Sequence, residues 1–340
     1  MNKFLIALLA IVICCIGGIV IEYKTNVLGR FLKPVKDSSV AKTDSLAFKW
    51  LPAFQLIEIR SQADGEMQKA YFYSSTAKDP QPLIVSLHSW SWDYRQEDSL
   101  SILCKEKNIN YIHPDFRGAN NTKNACCSDL VIADIDAAID YAITHSNVDT
   151  SKIYVTGRSG GGYATLASFM KAKHKIKKFA AWVPLADLAR WYEQTKARKS
   201  KYPAEILLCT GSLNGELNKE VAIERSPMYW RTPVEKLDYS MLDLYVGIYD
   251  GLESNSPIPI TQSINFYNKL LQDMAVTDSS AFISDAEKLK LLEYEKPLGE
   301  FGKIADREVC FVKRYKNIGI TFFTGGHEML QHFAFDDLLK

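Results

Sequence analysis

Apolar and polar positions alternate from Phe54 through Leu56, Glu58 and Arg60, pause at Gly65, and resume at Ala70–Tyr73. Period-two alternation on either side of a glycine predicts an antiparallel hairpin that opens a sheet. Further on, the apolar runs become continuous: Leu83–Leu87, Asn110–His113, Ile153–Thr156, Phe179–Pro184, Leu242–Ile248 and Ile318–Phe323. Runs of this kind fit strands buried on both faces. Helical patterns lie between and after them, over 97–107, 129–145, 163–171 and 328–339. The clearest is 129–145, with Ile132, Ile135, Ala138, Ile139 and Ile143 on one face. Strand and helix in alternation predict an α/β fold, a mostly parallel central sheet flanked by helices with right-handed crossovers. Two stretches exceed ordinary connections. Residues 187–236 are polar and aromatic and predict a cap-like insertion, and 275–308 are charged and helix-prone and predict a second.

The N-terminal pattern differs. Lys3 precedes an unbroken apolar run from Phe4 to Ile21, with no small-residue cleavage site after it. Residues 1–24 are therefore expected to be a membrane anchor or signal segment, 25–50 a linker, and 51–340 the α/β domain. A run of this length suits an uncleaved anchor, and Lys3 would leave the N-terminus cytoplasmic and export the rest. Release as a secreted or periplasmic protein after signal cleavage is the other expectation. Cys14–Cys15 also raises a lipoprotein site, although Ile13 is not the small residue such a site needs. Five cysteines follow the run: Cys104, Cys126, Cys127, Cys209 and Cys310. Export permits disulfides, and an odd count leaves at least one thiol outside any intrachain pair. Adjacent Cys126 and Cys127 are expected to pair elsewhere or not at all, rather than with each other. No cysteine or histidine spacing fits zinc.

Composition adds little beyond size. The chain has 340 residues, 47% hydrophobic and 24% charged, with a net charge of +1. That supports a large core and gives no reason to expect a nucleic-acid partner.

The most informative stretch is Gly157-Arg158-Ser159-Gly160-Gly161-Gly162, between the strand pattern ending at Thr156 and the helix pattern from Tyr163. Strand, G-x-S-x-G and helix form the context of the nucleophile elbow in α/β-hydrolases. A serine hydroxyl needs a base, and the base needs an acid to hold its tautomer. In this fold the order is serine, acid, histidine. Asp250 stands at the end of the 242–248 strand pattern, before Gly251, and is the expected acid; Asp187 is its competitor. His327, after Phe323-Thr324-Gly325-Gly326, is the expected base. His332 falls in a helix pattern, His145 and His174 at helix ends, and His113 on the wrong side of Ser159. The oxyanion hole is expected from the amides of Gly160 and Trp90, with Ser89 as the next candidate for the latter. His88 is expected to hold this loop by hydrogen bonding.

Several motifs from about residue 80 to the C-terminus resemble the catalytic domain of the prolyl oligopeptidase family. Asp115-Phe116-Arg117-Gly118 resembles its D-[YF]-R-G, and Asp134-Ile135-Asp136-Ala137-Ala138 its D-x-x-D/A-A helix. Gly157–Tyr163 resembles G-x-S-x-G-G-[YF], Pro259–Ser263 resembles V-P-x-x-Q-S, and Gly326-His327 its G-H. The resemblance implies the same triad. Three departures bear on specificity: residues 22–80 are too short for the β-propeller of the family's peptidases, His88-Ser89-Trp90-Ser91 replaces H-G-G-P, and the 275–308 insertion is unusual. The propeller-less domain resembles bacterial acyl and carbohydrate esterases, including pectin-type methylesterases.

Trp90 and Trp92, with Tyr94, are expected to form an aromatic floor at the site, faced by Trp191 and Tyr192 of the cap. Arg158 and Arg190 are candidates to hold a carboxylate or hydroxyls of the substrate. The leading expectation is a serine esterase acting on a small-molecule or polysaccharide ester. The alternatives are a serine peptidase acting on short peptides and a non-catalytic binding protein of hydrolase fold. No metal and no organic cofactor is implied.

Overall fold

The computed structural model describes residues 50–252 and 257–340. The anchor and linker expectations for 1–24 and 25–49 lie outside the described residues. Trp50–Lys340 forms one compact unit. Among the described residues, no helix is long and apolar enough to cross a membrane.

The hairpin is present. Strands β1 (Gln55–Arg60) and β2 (Met67–Tyr73) pair antiparallel. The chain then runs through β3 (Gln81–Leu87), α1 (Ser99–Glu106), β4 (Asn110–Pro114), α2 (Asp129–His145), β5 (Val148–Arg158), α3 (Gly160–Lys171) and β6 (Lys178–Trp182). Three cap helices follow: α4 (Leu188–Ala197), α5 (Tyr202–Cys209) and α6 (Lys219–Glu224). Next come β7 (Met241–Gly247), α7 (Thr261–Asp273), α8 (Asp285–Tyr294), β8 (Lys303–Ile304), β9 (Arg307–Tyr315), β10 (Ile318–Phe323) and α9 (Gln331–Leu338). The sheet order is β1-β2-β4-β3-β5-β6-β7-β10-β9-β8. Pairing is parallel from β4 through β3, β5, β6 and β7 to β10, and antiparallel at both margins. Such a sheet leaves its loops at the C-terminal strand ends free to build a site.

The parallel strands lose both faces to the core, as their apolar runs require. Every residue of β4 and β6 is buried. Helix α2 starts where Ser128 Oγ accepts the Val131 amide, and it buries Ile132, Ile135 and Ile139. Capping by serine removes one orphan donor of the first turn. The D-F-R-G and D-x-x-D motifs meet in space: Arg117 Nε lies 2.5 Å from Asp134 Oδ2, and its Nη1 2.7 Å from Asp64 Oδ2.

Two differences from the sequence reading concern the last third. The 275–308 stretch holds α8, as its helix-prone pattern predicts, but it leads into a strand, β9, that the pattern does not reveal. That strand mixes charged and apolar positions because only its middle, Val309–Phe311, is buried. The closing helix begins at Gln331 rather than Glu328, because Glu328 belongs to the preceding turn, where Oε1 accepts the Gly326 amide.

Cys126 pairs with Cys209, Cα to Cα 6.3 Å, tying cap helix α5 to the loop after β4. Among the described residues, Cys104, Cys127 and Cys310 are buried free thiols.

One buried group makes a pH prediction. His113 sits inside β4 near His88, Asp98 and Asp115, and burial pushes its imidazole down to about 4 against the opposing field of Asp98. The unfolded chain takes up this proton near the ordinary value of about 6.5. Between those values the unfolded state binds more protons, so stability falls as pH drops from about 6.5 to about 4. Urea titrations across that window are expected to show a flatter pH dependence for His113→Phe than for the parent. Parallel curves would remove His113 as the source.

Candidate active site

The elbow is built as its glycines require. Ser159 sits between β5 and α3 at φ 61° and ψ −119°, a backbone region non-glycine residues rarely enter. Its amide donates to the Trp182 carbonyl at 2.9 Å. A Cβ on Gly161 would lie 2.1 Å from the Leu87 carbonyl oxygen. The turn therefore packs directly on the loop after β3, and only glycine permits that approach. Ser159 is 8% exposed.

Asp250 follows β7 through Ile248 and Tyr249, and His327 follows β10 through Thr324–Gly326. The two loops are in close contact: a Cβ on Gly247 would lie 2.0 Å from the Gly326 carbonyl oxygen. His327 Nδ1 is 2.7 Å from Asp250 Oδ2. The other oxygen, Oδ1, accepts the Ile258 amide at 3.1 Å. Burial raises the Asp250 carboxyl pKa, and the hydrogen bond and charge of His327 oppose that rise. With Nδ1 held by the carboxylate, Nε2 is left as the basic nitrogen. Ser159 and His327 line one pocket of about 220 Å³, together with Arg158. Its remaining walls come from Ser89–Trp92 after β3 and from Lys201 and Tyr202 of the cap.

Other candidates lie elsewhere. Asp187 caps α4, accepting the Arg190 amide at 2.9 Å, and also accepts the Tyr229 hydroxyl at 2.9 Å. His332 is exposed on α9. His145 Nδ1 lies 2.9 Å from the Tyr141 carbonyl, and His174 Nε2 3.2 Å from that of Asp136. His88 is stacked on Phe116 at 3.8 Å, with Nδ1 3.1 Å from the Ser89 carbonyl.

The two candidate oxyanion residues are in close contact. A Cβ on Gly160 would lie 2.3 Å from Trp90 N. Among the described residues no acceptor takes the Trp90 amide, whereas the Ser89 amide is spent on Gln96 Oε1 at 2.7 Å. Trp90 is held from three sides. The Asn120 amide donates to its carbonyl at 2.8 Å, its Nε1 donates to Glu205 Oε2 at 2.7 Å, and its ring meets Trp191 edge-on at 4.8 Å.

The expected aromatic floor is not assembled. The Trp90 ring is only 2% exposed, and Trp191 is 1% exposed with Nε1 donating to the Pro257 carbonyl. Tyr192 is likewise buried, and neither it nor Trp191 lines the pocket. Both cap aromatics serve the packing between cap and loop. Trp92 is 53% exposed and does line the pocket, as does exposed Arg158; Arg190 is exposed away from it. Sequence reasoning missed Asn120, Gln96, Lys201 and Tyr202, none of which stands in a local motif. Gln262, which the sequence showed only as part of the Pro259–Ser263 motif, braces the cap entry: its Oε1 accepts the amides of Ala186 and Asp187 at 3.0 and 2.9 Å.

Residues 102–231 match the prolyl oligopeptidase family. The fold matches acylaminoacyl peptidase of Pyrococcus horikoshii at 17% identity and a TM-score of 0.51, over 69% of this chain and 38% of that one. It matches prolyl oligopeptidase B of Galerina marginata at 15% identity and a TM-score of 0.51, over 65% of this chain and 31% of that one. The chain has the α/β-hydrolase fold. A puromycin-hydrolyzing peptidase of Mycobacterium tuberculosis shares the fold at 17% identity and a TM-score of 0.50, over 65% of this chain and 34% of that one. The chain thus spans about a third of the length of the structures it matches. Among its described residues, no cluster of metal-ligating side chains occurs.

The oxyanion geometry makes a prediction. Gly160→Ala sets a methyl carbon 2.3 Å from Trp90 N, closer than two such atoms can stay, so the elbow and the Trp90 loop must part and the two amides no longer converge on one oxygen. Loss of one donor in such a hole costs about a hundred- to a thousand-fold in kcat. Steady-state kinetics are expected to show that fall with KM little changed; a KM effect alone would move the hole elsewhere.

Proposed function

We propose that the protein is a serine hydrolase that works through an acyl-enzyme. Ser159 attacks a carbonyl carbon, and His327 Nε2 takes the hydroxyl proton and returns it to the leaving group. Asp250 fixes the His327 tautomer and faces the imidazolium as it forms. The amides of Gly160 and Trp90 receive the negative charge on the carbonyl oxygen. Water then repeats the sequence and frees the acid. The observation that carries this reading is the 2.7 Å contact of buried Asp250 with His327, which lines one pocket with the strained Ser159.

For the substrate, the family match and the named activities of the structural neighbours favour short peptides over carbohydrate esters. An ester is the second reading, favoured by the exposed Trp92 ring, which lines the pocket with Ser159 and offers a face on which a sugar ring can stack. The apolar run 4–21 supports export with membrane anchoring, and the Cys126–Cys209 bond fits an oxidising compartment. Labelling of intact cells with a membrane-impermeant amine reagent tests that placement.

The deciding experiment assays the full chain and Ser159→Ala on fluorogenic short peptides and on methylated or acetylated polysaccharides. Ser159-dependent peptide cleavage supports the first reading, and Ser159-dependent release of methanol or acetate without cleavage supports the second. Equal rates for the two proteins on every substrate would overturn the nucleophile assignment and leave a non-catalytic binding protein.

A further inference from the structure

The pocket around Ser159 carries an uneven charge. Its lining includes the cations Arg158 and Lys201 and no carboxylate side chain. Lys201 is partly neutralised: Nζ lies 2.8 Å from Ser91 Oγ and 3.4 Å from Glu205 Oε1. Arg158 is not. Among the described residues it takes part in no ion pair and donates no side-chain hydrogen bond, although it is exposed at the pocket wall next to the nucleophile. Its position is also not free to drift. Residue 158 ends β5 in register with Trp182, and its carbonyl accepts the Ser89 hydroxyl at 3.2 Å, so the backbone from which the guanidinium extends is anchored to the loop that carries Trp90.

The nearest acid of the machinery, Asp250, is buried and engaged with His327 and the Ile258 amide. It gives an incoming anion no exposed like charge to meet. A guanidinium binds a carboxylate through paired N–H donors, and cations lining a cleft raise the local concentration of anions.

From this arrangement we infer that the substrate of this hydrolase carries a carboxylate close to the scissile carbonyl, and that Arg158, assisted by Lys201, receives it. The inference rests on the serine-hydrolase reading and names the substrate class within it: acidic acyl or leaving groups, as in an acidic peptide or an ester of a polyacid. Arg158 is then a specificity-determining residue whose binding energy selects which carbonyl reaches Ser159.

Two substrate pairs of similar shape, each with one anionic and one uncharged member, test it in the full chain. Nitrophenyl hemiglutarate against nitrophenyl valerate puts the carboxylate in the acyl half, and meta-acetoxybenzoate against meta-acetoxybenzamide puts it in the leaving half. At low salt, kcat/KM is expected to favour the charged member of at least one pair by about ten-fold, the scale of a charge-assisted contact in a solvated site, and high salt shrinks that ratio. Arg158→Gln is expected to bring the ratio near one, Arg158→Glu to reverse it, and Arg158→Lys to restore part of it. The ratio, not the absolute rate, is the readout. A parent enzyme that prefers the neutral member of both pairs, or a ratio unmoved in Arg158→Gln, overturns the inference. Failure of the serine reading looks different, because hydrolysis would then be equal in Ser159→Ala. In that event calorimetric titration of Ser159→Ala with glutarate and glutaramide, with and without Arg158→Gln, still decides: selective, Arg158-dependent glutarate binding supports the site, and its absence removes it.

Discussion

Asp250→Asn is expected to lower kcat by about ten-thousand-fold without unfolding the protein. The reason lies in the two partners of the carboxylate. Oδ1 accepts the Ile258 amide and Oδ2 faces His327 Nδ1. In asparagine the carbonyl oxygen stays with the Ile258 N–H, because the side-chain amine cannot accept from it. The amine is then turned toward Nδ1, which must accept. His327 is driven to the tautomer protonated on Nε2, and that nitrogen no longer takes the Ser159 proton. Labelling by a serine-directed phosphonate, followed by mass spectrometry, reads the loss even before a substrate is known. Near-parent labelling in a folded Asp250→Asn protein would mean that another group orients His327.

Lys178→Met is expected to destabilise the fold by about 3–5 kcal/mol, the scale for breaking a buried ion cluster from one side. Lys178 begins β6 and is 5% exposed. Its Nζ lies 2.6 Å from Asp337 Oδ2, 3.0 Å from Asp243 Oδ2 and 2.9 Å from the Asp337 carbonyl. One cation thus joins β6, β7 and the closing helix α9. Methionine leaves the two carboxylates facing each other with Arg314 on Asp243 and the Tyr245 hydroxyl on Asp337 as their remaining partners. The change lies at the N-terminal end of β6, whereas Ser159 sits beyond the C-terminal end of β5, so phosphonate labelling per folded molecule is expected to stay at the parent level. Urea unfolding measures the loss. A change within about 1 kcal/mol would mean that the carboxylates escape to solvent or protonate at little cost.

Both predictions depend on residues with different legibility in the chain. Asp250 stood out in the sequence as a candidate acid because α/β-hydrolases place that residue after a strand downstream of the serine, and a strand pattern followed closely by Asp-Gly is local. Lys178 was not readable, since nothing in its neighbourhood announces that Asp243 and Asp337 will arrive beside it.

That contrast runs through the molecule. The sequence by itself determined the alternating strands and helices, the elbow at Ser159 and the order of Asp250 and His327, because each depends on side-chain periodicity or turn chemistry within a few residues. It did not reveal β9, whose mixed face reflects its place near a sheet margin. Trp191 looked like a site residue and lies in the packing between cap and loop. Whether an aromatic ring faces solvent or a neighbour is set by what packs on it, here Trp90 and Tyr202. Only the tertiary structure decided that the Ser89 amide is occupied while that of Trp90 is open, that Cys126 pairs with Cys209, and that Arg158 stands at the pocket without a partner among the described residues. Each of these joins segments distant in sequence, and contacts of that kind are decided when the sheet and cap close on one another.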